Sequence, residues 1–223
     1  SHAFKTQEEV IIALSGSFDV ILNDGSKDIT YTLNRSYKAL YVPNMMWRSL
    51  ENFSTNSVCL VLNSGAYSEE EYISDFDQFR EEIRTQRYEK PAYQLLPNSD
   101  TTPQYNTVFD CSLFEFPIIQ NRAGNIAAIE VGKDIPFAIE RAFHIYDIPS
   151  GAERGMHAHK YCHETLIAAT GSFEVILDDG TNKKIVHLNS PKRALYIPPG
   201  VWASQREYSS GVTCLAFASK KYN

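Results

Sequence analysis

The chain has 223 residues, enough for one large domain or two small ones, each with a core of its own. Its hydrophobic share of 43% and charged share of 22% are those of an ordinary globular protein. A net charge of −6 argues against broad nucleic-acid binding, while leaving room for a local basic pocket.

Glu8 to Leu22 alternates loosely and is rich in Val and Ile, which predicts a pair of strands. Asn23-Asp24-Gly25 is a hairpin signal, since Asp-Gly reaches positive φ at little cost, and Asp28 to Leu33 reads as the returning strand. Ala39 to Pro43 and Val58 to Asn63 read as further short strands. Ser68 to Arg84 predicts a helix, with Ser68 as cap, Glu69, Glu70 and Glu71 in the first turn, and Tyr72, Phe76 and Phe79 on one face. Packing against the body of the fold is the expected use of that aromatic face. Residues 91–106 are rich in Pro and polar side chains and read as a linker. Beyond it, strands are expected near 113–119, 125–131 and 141–148.

The body after residue 150 repeats the start of the chain. Ser15-Gly16-Ser17-Phe18-Asp19-Val20-Ile21-Leu22 returns as Thr170-Gly171-Ser172-Phe173-Glu174-Val175-Ile176-Leu177. Asp24-Gly25 returns as Asp179-Gly180, Ala39-Leu40-Tyr41 as Ala194-Leu195-Tyr196, Trp47 as Trp202, Cys59 as Cys214 and Tyr67 as Tyr222, always 155 residues on. The reading is two copies of one all-β unit: residues 1–90 with a short helix at their end, and residues 107–223. The first copy lacks the front part that residues 107–156 give the second.

No apolar run is long enough to span a bilayer, and the N-terminus carries no signal-peptide pattern. The chain opens almost within a motif, so a natural start further upstream is expected. Cys59, Cys111, Cys162 and Cys214 form no CxxC pair and no secreted disulfide framework, so reduced thiols and a cytoplasmic location are expected.

The chemistry-bearing stretch is Arg154-Gly-Met-His157-Ala-His159-Lys160. Two histidines two residues apart share a face if the segment is a strand, and they titrate near neutrality beside groups that hold anions. Gly151, His157, His159, Glu164 and Gly171 together resemble the first motif of the cupins, which are small antiparallel barrels of jelly-roll type. The resemblance implies tandem double-stranded β-helix barrels. Many cupins bind a metal through such histidines and a glutamate. Here Ala203 stands where the second motif would supply a further histidine, and Lys160 would oppose a cation, so no metal is expected. In the first copy His2 and Lys5 are the remnants of the motif, Phe4 replaces its second histidine, and Arg48 stands at the second-motif position.

Further residues narrow the resemblance. Asp134-Ile-Pro-Phe137, Arg141, the Arg154–Lys160 stretch, Leu188-Asn189, Leu195-Tyr196 and Val201-Trp202 are similar to the WxcM-like sugar nucleotide 3,4-ketoisomerases. So is Tyr67-x4-Tyr72-Ile73-x2-Phe76-x2-Phe79 in the first copy. The resemblance implies an isomerase without cofactor. It would move the ketone of dTDP-4-keto-6-deoxy-D-glucose from C4 to C3 through an enediol, for 3-amino-dideoxysugars of surface glycans. It also implies a homodimer, usually one whose subunits exchange front strands.

By that resemblance His157 is the base and His159 its partner in proton transfer or positioning. Arg141, Arg154 and Lys160 are candidates for the diphosphate, and Tyr196, Trp202 and Trp47 for stacking on thymine or sugar. His2, Lys5 and Arg48 are the corresponding substrate-binding candidates of the first copy. Phe143 stands where the family carries a tyrosine whose hydroxyl helps at the sugar. Two other readings stay open: a catalytically weak nucleotide-sugar-binding cupin, favoured by Phe143, and a metal-dependent cupin enzyme, opposed by Ala203.

Overall fold

The computed structural model describes residues 1–85, 106–122 and 124–222. Apart from Asn106, the expected linker lies outside the described residues. The chain divides into two compact units, Ser1–Leu95 and Leu96–Asn223.

Unit 1 runs through β1 (Ala3–Phe4), β2 (Glu9–Ser15), β3 (Phe18–Asn23), β4 (Asp28–Leu33), β5 (Ala39–Val42), β6 (Trp47–Glu51), β7 (Val58–Asn63), β8 (Tyr72–Ile73) and α1 (Phe76–Thr85). Its antiparallel sheets have the strand orders β5-β2-β7 and β4-β3-β6, with β1 paired to β8. Alternation decides which side chains meet between the sheets: Phe18, Val20 and Leu22 of β3 are buried, and the residues between them are only partly so. With Ile11, Ala13, Leu33 and Val42 they form the core.

The helix differs from its expected span. Ser68 makes no side-chain cap, Glu69–Glu71 form a single 3-10 turn, and Tyr72–Ile73 leave the helical path to pair with Ala3–Phe4. The helix starts at Phe76, where Asp75 accepts the backbone N–H of Gln78 at 2.8 Å. Its Phe76 and Phe79 pack on Trp47, with ring centroids 5.1 and 5.6 Å apart, so the aromatic stripe is core. Trp47, a stacking candidate from the sequence, is therefore a packing residue in unit 1.

Unit 2 contains β9 (Ser112–Glu115), β10 (Ile118–Asn121), β11 (Gly124–Ala127), β12 (Arg141–Ile145), β13 (Arg154–Ala158), β14 (Glu164–Thr170), β15 (Phe173–Asp178), β16 (Lys183–Leu188), β17 (Arg193–Ile197), β18 (Trp202–Arg206) and β19 (Thr213–Ala218). A five-stranded sheet, β12-β19-β14-β17-β9, faces a four-stranded one, β13-β18-β15-β16, and β10 and β11 form a separate hairpin. The side chains of Leu166, Phe173, Val175, Leu177, Leu188, Leu195 and Ile197 come from both sheets and make one core. The expected strand over 113–119 is broken at Phe116-Pro117: proline has no N–H for a ladder, and the Phe116 N–H goes to the Lys192 carbonyl.

The strand registers of the units correspond at the 155-residue offset. Phe18 opposite Leu33 recurs as Phe173 opposite Leu188, Asn23 opposite Trp47 as Asp178 opposite Trp202, and Glu9 opposite Asn63 as Glu164 opposite Ala218. Even the register shift between Ala13 and Ser15 has a counterpart between Ala168 and Thr170. The strands β9 and β12 flank β17 and β19 of unit 2 within the same chain.

Gly171 shows why this turn takes glycine. Its φ is +66°, and a Cβ there would lie 2.4 Å from Ser209 Oγ and 3.0 Å from Val212 Cα. Ser209 Oγ is itself engaged, accepting the Ser172 N–H at 2.8 Å. Gly171→Ala is expected to destabilise unit 2 by roughly 2–4 kcal/mol, from positive φ plus displaced backbone. A lowered urea midpoint checks this; an unchanged midpoint contradicts it.

Candidate functional site

The histidine pair sits on β13, whose course is set by a bulge. Arg154 lies opposite Gln205 and His157 opposite Ala203, with the register shift falling between Gly155 and His157. Gly155 and Met156 both have positive φ, 79° and 53°. An extra residue in a strand reverses the alternation beyond it. Arg154 and His157 are three apart in sequence, yet their partners on β18 are two apart, so they share a face. A Cβ on Gly155 would approach the Ala203 carbonyl to 3.0 Å, so the two strands run close together here.

His157 Nδ1 lies 3.0 Å from the Gly155 carbonyl. A carbonyl only accepts, so Nδ1 carries the proton and neutral His157 keeps a lone pair on Nε2. That lone pair faces His159 Nε2 at 3.2 Å, so His159 Nε2–H donates to it. Two ring nitrogens at this distance can pass one proton between them. His159 Nε2 is also 3.9 Å from Glu164 Oε1. Glu164 is buried, with its carboxyl group beside the His159 ring. Among the described residues no group of three or more His, Cys, Asp or Glu side chains is placed to hold a metal ion.

The five-stranded sheet supplies the facing wall. Glu164 lies opposite Ala218 and Ala218 opposite Arg141, while Leu166, Ala216 and Phe143 form the next row. Residues directly opposite share a face, so Arg141 and Phe143 are on the Glu164 face, separated from it by alanines. The Phe143 ring packs on the barrel core. The Arg141 guanidinium lies 5.2 Å from the Phe143 ring and 5.4 Å from the Tyr222 ring, and its buried Nε has no hydrogen-bond partner. A guanidinium so placed is a ready anion site.

The remaining candidates are placed differently. Tyr196 alternates out of phase with the buried Leu195 and Ile197, so it lies on the other face of its sheet from Glu164. There its hydroxyl is 2.7 Å from His163 Nδ1, and its ring stacks near Phe137. Trp202 is 45% exposed and out of phase with Ala203. Lys160 is exposed beyond the end of β13. The structure thus gathers His157, His159, Arg154 and Arg141 around the barrel interior of unit 2, and leaves Tyr196 and Trp202 off that face.

Two residues that sequence reasoning missed complete the interior. Gln205 is 5% exposed, and its Oε1 accepts the Tyr208 O–H at 2.7 Å. Burial pushes the Tyr208 hydroxyl well above the ordinary tyrosine range, so it stays protonated. Their counterparts 155 residues earlier are Leu50 and Phe53, a difference legible by comparing the copies.

Unit 1 shows what fills the corresponding place there. His2 pairs with Arg48 as His157 does with Ala203. Arg48 is 1% exposed: its Nε and one terminal nitrogen lie 2.7 Å from Glu9 Oε2, another donates to the Met46 carbonyl, and its carbon centre is 4.2 Å from the Phe4 ring centroid. Glu9 is the counterpart of Glu164, and burial raises its carboxyl above the usual range, Arg48 offsetting part of that. Burial, then Arg48 and the N-terminus, lower His2 to about 4, so it is neutral near pH 7. Arg48 thus occupies the place that Ala203 leaves small. Lys5 joins unit 1 through its backbone, donating to the Glu71 carbonyl and accepting from Asn44.

The comparisons with known proteins follow the same lines. The family model "WxcM-like, C-terminal" (FdtA) matches residues 1–84 and again 109–223. A TDP-4-oxo-6-deoxy-alpha-D-glucose-3,4-oxoisomerase of Aneurinibacillus thermoaerophilus is 38% identical over 111 residues, covering 50% of this chain and 80% of that protein. The sugar 3,4-ketoisomerase QdtA of Thermoanaerobacterium thermosaccharolyticum, solved with TDP, is 34% identical with a TM-score of 0.51, covering 52% of this chain and 85% of that one. The TDP-quinovose 3,4-ketoisomerase WlaRB of Campylobacter jejuni is also 34% identical with a TM-score of 0.51, covering 52% and 89%. With both units matched by its model, this chain belongs to the WxcM-like family.

Proposed function

We propose that the chain is a 3,4-ketoisomerase of a TDP-linked 4-keto-6-deoxyglucose, built as two related barrels, with its chemistry in unit 2. The observation that carries this reading is the His157–His159 contact, 3.2 Å between two Nε2 atoms with His157 Nδ1 already held by a carbonyl. Moving a ketone from C4 to C3 takes the C3 proton away and protonates O4, giving an enediol. O3 then loses its proton while C4 gains one. With the sugar between the two rings, His157 Nε2 takes the C3 proton and later gives it to C4, while His159 Nε2–H protonates O4 and then takes the proton from O3. Arg141 and Arg154 supply positive charge for the diphosphate. Unit 1, with Arg48 across its barrel, does not take part in the chemistry.

A second reading, a nucleotide-sugar-binding protein without turnover, is favoured by one observation: Phe143 packs its ring on the core and offers no hydroxyl. One assay separates the two. The protein is incubated with TDP-4-keto-6-deoxyglucose, with and without a chelator, and products are followed by NMR. The isomerase reading expects a 3-keto sugar nucleotide at an unchanged rate with chelator. Ligand-induced shifts without product favour the binding reading. Loss of activity with chelator, restored by one metal, rejects the metal-independent mechanism.

A further inference from the structure

We propose that the amide nitrogen of Gln205, held in place by Tyr208, is the hydrogen-bond donor that meets the reacting sugar oxygens inside unit 2. The inference rests on the ketoisomerase reading and adds to it a donor where Phe143 offers none.

Pairing fixes where Gln205 points. It lies opposite Val175 on one side and Arg154 on the other, and Val175 belongs to the barrel core, so the glutamine faces inward. Ala203, two residues earlier on the same strand, is opposite His157. Two strand residues span about 7 Å, within reach of a glutamine and a sugar ring lying between them. The intervening Ala203 is a single methyl group, where unit 1 has Arg48.

The amide has one assigned end. Its separation of 2.7 Å from the Tyr208 oxygen is that of an O–H···O bond, shorter than the usual N–H···O. The Tyr208 ring is fixed by stacking on Phe173, with centroids 5.5 Å apart. Among the described residues the Gln205 amide nitrogen has no hydrogen-bond partner. The side chain is only 5% exposed, yet its amide nitrogen is not among the buried polar atoms that lack a partner, so water, or a ligand in its place, reaches it from the barrel interior. The equivalent pair in unit 1, Leu50 and Phe53, is apolar, so the barrel does not require the polar pair for its packing. The polar pair occurs in the unit that carries both histidines. An N–H aimed at O4 stabilises the negative charge that develops there as the C3 proton leaves.

The test is Gln205→Leu, which carries the unit 1 residue and keeps the side chain's size. Turnover number is expected to fall roughly 100-fold with KM within about threefold of wild type. The urea midpoint should hold or rise, because a buried amide is removed. Tyr208→Phe, which frees the amide to rotate, is expected to lower kcat about tenfold while leaving KM in place. A fall in midpoint with kcat unchanged in either variant assigns the pair to structure alone and overturns the proposal. Wild-type inactivity would defeat the isomerase reading separately. The donor is then judged by calorimetry, as the affinity for TDP-4-keto-6-deoxyglucose relative to TDP. Gln205→Leu should lower that ratio about tenfold; an unchanged ratio, or no binding by wild type, overturns the proposal.

Discussion

His157→Asn should lower kcat by roughly 10²- to 10⁴-fold, the usual contribution of a placed general base. Asparagine keeps a donor that can face the Gly155 carbonyl, so the strand is not expected to rearrange. What disappears is the basic lone pair facing His159 at 3.2 Å. Affinity for TDP should stay within about threefold, because the proposed diphosphate contacts come from Arg141 and Arg154, whose positions do not depend on the imidazole. Steady-state kinetics and calorimetry check the two halves separately. Unchanged turnover rejects His157 as the base. Lost turnover together with lost TDP affinity assigns it to binding instead.

Arg48→Ala should destabilise unit 1 by about 3–5 kcal/mol, because it leaves the buried Glu9 carboxylate without its partner. The arginine also covers the Phe4 ring, so its loss opens a gap in the wall. Arg48→Met combined with Glu9→Gln removes charge and partner together, and it should recover most of the loss. Trp47 reports on unit 1 from its place against α1, and a Trp202→Phe background isolates its fluorescence in urea titrations. An Arg48→Ala midpoint equal to that of wild type would contradict a buried, mutually dependent pair. The same substitution should leave ketoisomerase turnover near wild type, since Arg48 and the histidine pair belong to different units.

Most of the strands were legible because alternation is written residue by residue, as in Phe18, Val20 and Leu22 or their counterparts in β15. The strand Trp47–Glu51 was not anticipated. Its buried residue is an arginine, which hides the apolar alternation that a sheet face normally shows. The early start assigned to the helix has a specific cause. Ser68 and three glutamates imitate a helix N-terminus, but pairing of Tyr72–Ile73 with β1 overrides that local preference. The histidine spacing was legible because it is a motif. The sharing of a face by Arg154 and His157 was not, because it depends on positive φ at Met156, a residue with no marked preference for that conformation. Tyr196, a stacking candidate by resemblance, lies on the opposite face, which buried Leu195 and Ile197 on either side of it require. Gln205 and Tyr208 match no motif, and only their contrast with Leu50 and Phe53 singles them out.

The central claim is that His157 and His159 of unit 2 carry a proton between neighbouring sugar carbons. Its most direct measurement is deuterium incorporation from heavy water into TDP-4-keto-6-deoxyglucose and its product, followed by NMR. Wild type is expected to introduce deuterium at C4 of the 3-keto product, and by reversal at C3 of the remaining substrate, as His157 exchanges with solvent between its two transfers, and His157→Asn to introduce none above background. A 3-keto product formed by His157→Asn at the wild-type rate, or wild-type protein that binds the sugar nucleotide yet exchanges no carbon-bound hydrogen and forms no product, would contradict the account.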